Sequence, residues 1–382
     1  MKNKRNSALT FFFLYAPILL LSCKTERSDQ QIYVPFSNKT FEYADSIVKK
    51  IEFVPLETNS DFLISHIDKI IHKDSTFIIL DKRIARSVFI FDDKGEFRKR
   101  IRTGQIDDVL YHEKRIYLLS NANGALQKFS LDGTLEKTYQ FPDIFPRAIA
   151  FVSNNTIIGY NNYAGDRTGN FGRTCFYRID SDKLIRCHTE MPYNESMIED
   201  YVPILPSNIF TDNGSEVLVN EFANDEINVF DKPNGANVIR YKIKYQREPS
   251  GNRFSDRHFL SNGIEYLQNK KESAKADILY ANKKYLFFSY INEGADDFFV
   301  LYDRAKSKVI YNTRAFVLEK ASFQLPYDWF YDNNDDNTVI SYLNTNRLIT
   351  DSSYRNALEK ISPVFSNINS LSNPILCKIL LN

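Results

Sequence analysis

The feature that most constrains this chain is a repeat. Phe77-Ile-Ile-Leu-Asp81 is followed by Val88-Phe-Ile-Phe91, a turn at Asp92-Asp-Lys-Gly95 and then Glu96-Phe97. The next stretch runs Ile116-Tyr-Leu-Leu-Ser120, Leu126-Gln-Lys-Phe129, Ser130-Leu-Asp-Gly133 and Thr134-Leu135. Phe91 and Phe129, Gly95 and Gly133, and Phe97 and Leu135 are each 38 residues apart. Each unit reads as strand, polar loop, strand, glycine turn and strand. Glycine reaches positive φ without steric cost, so a hairpin closes there.

Fainter copies follow. They pair Thr156–Tyr160 with Phe176–Ile179, Val217–Val219 with Ile227–Phe230, and Tyr285–Phe288 with Phe298–Tyr302. A sixth is split, with Thr338–Leu343 before an insertion and Ile375–Ile379 at the end. Strand-rich units repeated six times predict an all-β fold, a six-bladed β-propeller, because radial closure leaves few exposed sheet edges. A pair of β-sandwiches would not require this repeating unit. Composition agrees: 30 Phe and 23 Tyr beside three Met favour packing on pleated surfaces.

Two regions break the pattern and predict short helical insertions. Residues 255–276 are polar and partly helical in character, and Tyr354, Ala357, Leu358 and Ile361 fall on one helical face. Pro363 should end or bend that helix.

The N-terminus reads as an address. Lys2, Lys4 and Arg5 precede an apolar run from Ala8 to Leu21 that contains Pro17. It is too short for a spanning helix, which needs about 20 residues. It ends in Leu20-Leu21-Ser22-Cys23, which resembles a bacterial lipobox, where cleavage exposes a cysteine for acylation. Residues 1–22 are therefore expected to be a lipoprotein signal peptide and Cys23 the lipid attachment site. Residues 23–50 become a lipid-anchored tether and N-terminal segment, with 24–31 a polar tether, and residues 51–382 the propeller. The membrane is then a partner through the acylated N-terminus, held by buried methylenes at about 0.8 kcal/mol each. Lys24 directly after the cysteine fits an outer-membrane destination. Glu26 and Asp29 are a thin version of the acidic signal for surface export, so the periplasmic or outer face stays open.

Cys175, Cys187 and Cys377 remain, and an odd number leaves at least one thiol without a disulfide. Cys175 and Cys187 flank a hairpin and face each other only if its loop is Asp180 to Asp182; one residue more separates them.

At this point the chain resembles the six-bladed β-propeller lipoproteins of gut-type Gram-negative bacteria, over roughly residues 50–382. The resemblance rests on Ile51–Thr58, Leu80-Asp81, Phe89–Asp92 with Gly95, and Asn373–Leu376. It implies a closing blade built from both chain ends, with residues 51–56 pairing near 374–380. Arg102-Thr-Gly-Gln105 departs from the family's Gly-rich turn, which puts any role of that turn in doubt.

Motifs for chemistry are missing: no GxSxG elbow, P-loop, HExxH or dinucleotide fingerprint occurs. His66, His72, His112, His188 and His258 stand apart, and with no CxxC they make no zinc site. Asp332–Asn337 has oxygens at alternate positions but lacks the Gly and Glu of a calcium loop, so it reads as a solvated turn. Asp107-Asp108 and Asp296-Asp297 are adjacent on strands and point to opposite faces. Candidate contacts are the polar loop 161–170, with Asn161, Asn162, Tyr163, Asp166 and Arg167, and the aromatic patch Tyr327, Trp329 and Tyr331.

Formal charge is +1, and the three basic residues of the leader account for it, so no basic excess points to nucleic acid. The reading is a non-catalytic binding or interaction module of the envelope, for a glycan, peptide or protein partner, without a cofactor. The alternative is a metal-dependent lactonase- or lyase-like propeller holding Ca2+ in its central channel. A third class, a structural subunit of an envelope complex, would expose a contiguous apolar patch.

Overall fold

In the computed structural model the runs that read as strands are strands, and five four-stranded sheets and one five-stranded sheet close into a six-bladed propeller. The structure describes residues 28–142, 145–161, 174–180, 183–190, 208–232, 236–246, 253, 256–294, 296–319, 323–326, 330–331, 337–369 and 371–382. The chain enters along the rim through β1 (Ser28–Val34), β2 (Glu42–Tyr43) and β3 (Val48–Pro55). Blade 1 follows as β4 (Lys69–Lys73), β5 (Thr76–Asp81), β6 (Ser87–Asp92) and β7 (Phe97–Arg102). Blade 2 is β8 (Asp108–His112), β9 (Arg115–Ser120), β10 (Ala125–Ser130) and β11 (Leu135–Gln140). Blade 3 is β12 (Ala148–Ser153), β13 (Thr156–Tyr160), β14 (Thr174–Asp180) and β15 (Lys183–Glu190). Blade 4 is β16 (Phe210–Asp212), β17 (Glu216–Val219), β18 (Glu226–Asp231) and β19 (Asn237–Tyr245).

Two helices, α1 (Arg257–Ser261) and α2 (Gly263–Lys270), precede blade 5. That blade is β20 (Ala274–Ala281), β21 (Tyr285–Asn292), β22 (Asp296–Asp303) and β23 (Lys308–Thr313). A small sheet, β24 (Phe316–Leu318) with β25 (Phe323–Gln324), leads to β26 (Phe330–Tyr331) and β27 (Thr338–Leu343). After α3 (Thr345–Thr350) and α4 (Ser352–Glu359), β28 (Ile375–Leu381) ends the chain.

Why the strands read as unbroken apolar runs follows from the packing. Each blade is covered on both faces by its neighbours, so alternation gives way to continuous hydrophobicity. In β5, Phe77 and Ile79 join the apolar cluster between blades 6 and 1, whereas Ile78 and Leu80 join that between blades 1 and 2. All four are buried, and each such side chain contributes about 1.5–3 kcal/mol.

The ring closes as expected from both ends. β28 pairs with β3 from Ile375 opposite Pro55 to Leu381 opposite Val48, which makes β3 the outer strand of blade 6. Gly95 secures the next joint. Its φ is +85°, a Cβ there would lie 2.2 Å from the Pro55 carbonyl oxygen, and its own carbonyl accepts from the Glu57 N–H at 2.7 Å.

Three expectations need correction. Residues 28–31, read as tether, belong to β1, which pairs in parallel with β19 as a fifth strand of blade 4. Their polarity misled because the ladder satisfies the backbone while Asp29 and Gln31 face water. Residues 274–276, read with the helical insertion, open β20. Ile361 lies beyond α4 and is exposed, while Leu358 is buried. Pro363 has no N–H to continue the ladder and starts a separate 3-10 turn instead. The sequence leaves both registers of Cys175 and Cys187 open, and in the fold the two do not face each other. Asp180 pairs with Lys183, which leaves a two-residue loop, and a bulge near Cys187 then sets Cys175 opposite Thr189. Neither they nor Cys377 are in a disulfide.

Candidate functional site

The first strands of the blades line a central channel. Its waist is largely apolar, with Ile71, Leu110, Phe151, Phe210 and Leu279 contributed by five blades. The channel opens at the end where these strands begin, and there the lining turns polar: Asp68, Lys69, Lys82, Asp107, Asp108, Arg147 and Asn208. The two adjoining cavities measure about 80 Å³ each, and each has room for several waters.

Three of the charged side chains at the mouth are committed to the scaffold. Asp108 is buried and accepts from Lys69 Nζ at 2.8 Å, from the Val109 N–H at 2.8 Å and from the Ile149 N–H at 3.1 Å. It thereby ties blades 1, 2 and 3 together. Asp68 accepts from Arg83 Nε at 2.9 Å and from the Lys82 N–H at 2.8 Å. Lys82 and Arg147 remain exposed beside the half-buried Asp107, so the face presented to solvent carries both signs.

Behind the mouth, where blade 4 meets blade 5, lies a buried polar network. Lys275, fully buried on β20, donates through Nζ to Asn220 Oδ1 and to the Glu221 carbonyl at 2.6 Å. Asn220 Nδ2 donates to Asp277 Oδ1 at 2.6 Å and to the Asn208 carbonyl at 3.1 Å, which carries the network to the mouth. Asp225 accepts from the Lys275 N–H at 3.0 Å and pairs with the buried Arg253 at 3.1 Å. Burial pushes the Lys275 ammonium down to about 8, against the pull of Asp277, Asp225 and Glu221. Burial likewise raises the Asp225 carboxyl despite Arg253. Sealed from the channel, Lys275 is a clamp between blades rather than a nucleophile.

This donor set does not suit a hard cation. Calcium needs six to eight inward-turned oxygens, whereas Asp68 and Asp108 are held by N–H groups and cations. Among the described residues no three His, Cys, Asp or Glu side chains converge. Two of the histidines pack against rings: His72 stacks on Phe77 and His112 on Phe151, with ring centroids 4.1 Å apart in both pairs.

Of the contact residues chosen from sequence, Asn161 is buried and donates through Nδ2 to Cys175 Sγ at 2.9 Å. Its loop leaves from the mouth end, because the Arg147 N–H donates to the Tyr160 carbonyl at 2.7 Å. Asn162, Tyr163, Asp166 and Arg167 lie outside the described residues, as do Cys23, Tyr327, Trp329 and most of 332–337. Tyr331 lies in β26 of the closing blade. Sequence reasoning missed Arg147, Lys69 and Lys275. The available signal was position: Asp68, Asp107 and Arg147 each stand immediately before a first strand.

The sequence profile of a family described as "Domain of unknown function (DUF4934)" matches residues 31–379. No curated protein matches the sequence. Among solved structures, the fold is similar to that of a candidate exported protein of Bacteroides fragilis, at 14% identity and a TM-score of 0.71. That match covers 93% of this chain and 100% of the other. A member of the DUF4221 family from Bacteroides vulgatus matches at 13% identity and a TM-score of 0.48, covering 88% of this chain and 97% of its own.

Proposed function

The chain belongs to the DUF4934 family, and from that premise we propose that it is a cell-envelope lipoprotein whose propeller is a non-catalytic binding module. Cys23 carries the lipid, the outer membrane is its site, and the channel mouth receives a glycan, a peptide or a segment of an envelope protein. The observation that carries this reading is the mouth itself. Lys82, Arg147 and Asp107 offer hydrogen-bonding groups of both signs above a largely apolar waist. Likeness to a candidate exported protein supports the envelope location.

Glycan arrays and pull-downs with the full-length protein test the reading, together with the variants Lys82→Ala, Arg147→Ala and Asp107→Ala. Loss of a desolvated polar contact at the mouth should weaken binding about tenfold, equal to 1.4 kcal/mol. Binding indifferent to all three would overturn the site. Turnover of a lactone, with a melting midpoint that falls in EDTA and recovers in calcium, would overturn the non-catalytic role.

A further inference from the structure

Between β1 and β3 the chain forms a strap across the outer edge of blades 4, 5 and 6. Its backbone is fixed throughout. β1 runs parallel to β19, Asn312 Nδ2 donates to the Pro35 carbonyl at 2.7 Å, and the Ser37 hydroxyl donates to the Asn312 carbonyl at 2.7 Å. Farther along, the Glu42 and Ala44 N–H groups donate to the Ala315 and Val317 carbonyls at 2.8 Å. On this rigid strap four aromatic side chains stand in solvent: Tyr33 at 61%, Phe36 at 66%, Phe41 at 48% and Tyr43 at 47% exposure. The other large apolar residues exposed among the described residues (Ile84, Leu135, Ile310, Ile349, Ile361 and Leu371) are aliphatic and scattered. Large rings held outward need an occupant, because leaving them in water forfeits their burial energy.

Chain length says what that occupant is. From Cys23 to Ser28 there are five residue steps, which span at most about 17 Å when fully extended. An acylated Cys23 sits at the membrane surface, so β1 cannot leave it. We propose that this strap is the membrane-facing edge of the propeller, with Tyr33, Phe36, Phe41 and Tyr43 seated among lipid headgroups. Rings of this kind favour that depth, with their apolar bodies toward the acyl chains and any hydroxyl toward water. Residues 28–50 carry Lys39, Lys49 and Lys50 against Asp29, Glu42 and Asp45, which is no net charge. The contact is therefore apolar and indifferent to the fraction of anionic lipid, unlike a polybasic patch. Because the strap crosses outer strands, the rim of the propeller meets the bilayer and the channel mouth stays open to the aqueous phase.

This inference rests on the anchored reading above, and one preparation separates the two. The full-length protein, in a Cys187→Ala background, is made with a single cysteine replacing Tyr33, Phe36, Phe41 or Tyr43, and as controls Ile84 or Leu371. Each is labelled with an environment-sensitive fluorophore and bound to phosphatidylethanolamine–phosphatidylglycerol vesicles, some with brominated acyl chains. Mass spectrometry of the N-terminal peptide reports acylation. The expected result is a blue shift and bromine quenching at the four strap positions, none at 84 or 371, and no change as phosphatidylglycerol is varied. An acylated protein with unshifted strap labels, or with equal shifts at the controls, overturns the orientation while the anchor stands. An unacylated protein removes the anchor; the strap then stands or falls on whether its labels still respond to vesicles. Labels shielded in native membranes but not quenched by lipid bromine would assign the surface to a protein and overturn the proposal.

Discussion

The seam between blades 1 and 2 and the seam between blades 4 and 5 join the same kind of unit by different chemistry. Ile78, Leu80, Val88, Ile90, Val109 and Leu118 fill the body of the first with hydrocarbon, and one ion pair, Lys69 with Asp108, crosses it at the mouth. The second has its own apolar cluster, but toward the mouth it buries Lys275, Asn220, Asp277 and Arg253 beside the half-buried Asp225, in place of apolar side chains. A hydrocarbon seam is non-directional and tolerates repacking. A buried charged seam is all-or-none, because each group is stable only while its partners are present. Polar chemistry therefore sits where two blades must keep one fixed relation next to a candidate binding face.

Breaking the charged seam should have the largest effect. Lys275→Met leaves Asp277 and Asn220 facing an apolar side chain, and urea unfolding should show a loss of about 3–5 kcal/mol. The double variant Lys275→Met with Asp277→Leu should recover much of it, since well-packed apolar side chains can replace buried charges linked through a polar network. A loss below about 1 kcal/mol for the single variant would mean that hydrocarbon holds this seam too.

The next test concerns the regular half. Gly95→Ala adds a Cβ against the Pro55 carbonyl in a left-handed conformation, and should cost about 3 kcal/mol from clash and strain together. Gly104→Ala has the same conformation, φ +84°, with open space around it, so strain alone should cost about 1 kcal/mol. Equal losses would show that closure at Pro55 does not depend on the close approach of Gly95.

These two regions also differ in how far they can be read from sequence. Blades 1 and 2 were legible because Gly95 and Gly133 mark equivalent turns and every apolar position is dictated by burial on both faces. Lys275 was not, because Lys-Ala-Asp after a polar stretch resembles a helical insertion until Asn220 and Asp225, some fifty residues earlier, are known to face it. The strand at 28–34 was hidden for a related reason. Edge strands need little hydrophobicity when a neighbouring ladder supplies their hydrogen bonds. Half of the candidate site is non-local pairing of this kind, which no local pattern encodes.

A gentler probe of the charged seam is its pH dependence. The folded state holds the Lys275 ammonium near 8, below its ordinary value of 10.5, so between those values the unfolded chain binds more protons. Stability attributable to this group must then rise with pH from about 8 to 10, by at most about 1.4 kcal/mol per unit. Subtracting the Lys275→Met profile from the parent isolates that slope from tyrosine ionisation. A flat difference would place the proton on Lys275 throughout and make the network a permanent ion pair.

The smallest expected effect lies at the rim. Asp29 joins β1 to blade 4 through Arg240, with Nε at 3.0 Å and a second guanidinium nitrogen at 2.6 Å, and through Lys242 at 2.9 Å. These contacts hold the Asp29 carboxyl well below the usual carboxylate range. They nonetheless lie in water, where salt screens them, and β1 can detach without opening β19 from β18. Arg240→Ala should therefore leave the global unfolding midpoint within error while hydrogen exchange quickens at residues 28–34 alone. A midpoint that fell as far as in Gly95→Ala would instead make β1 part of the cooperative core, because only a strand that blade 4 needs in order to fold can transmit the loss of an exposed pair to the whole ring.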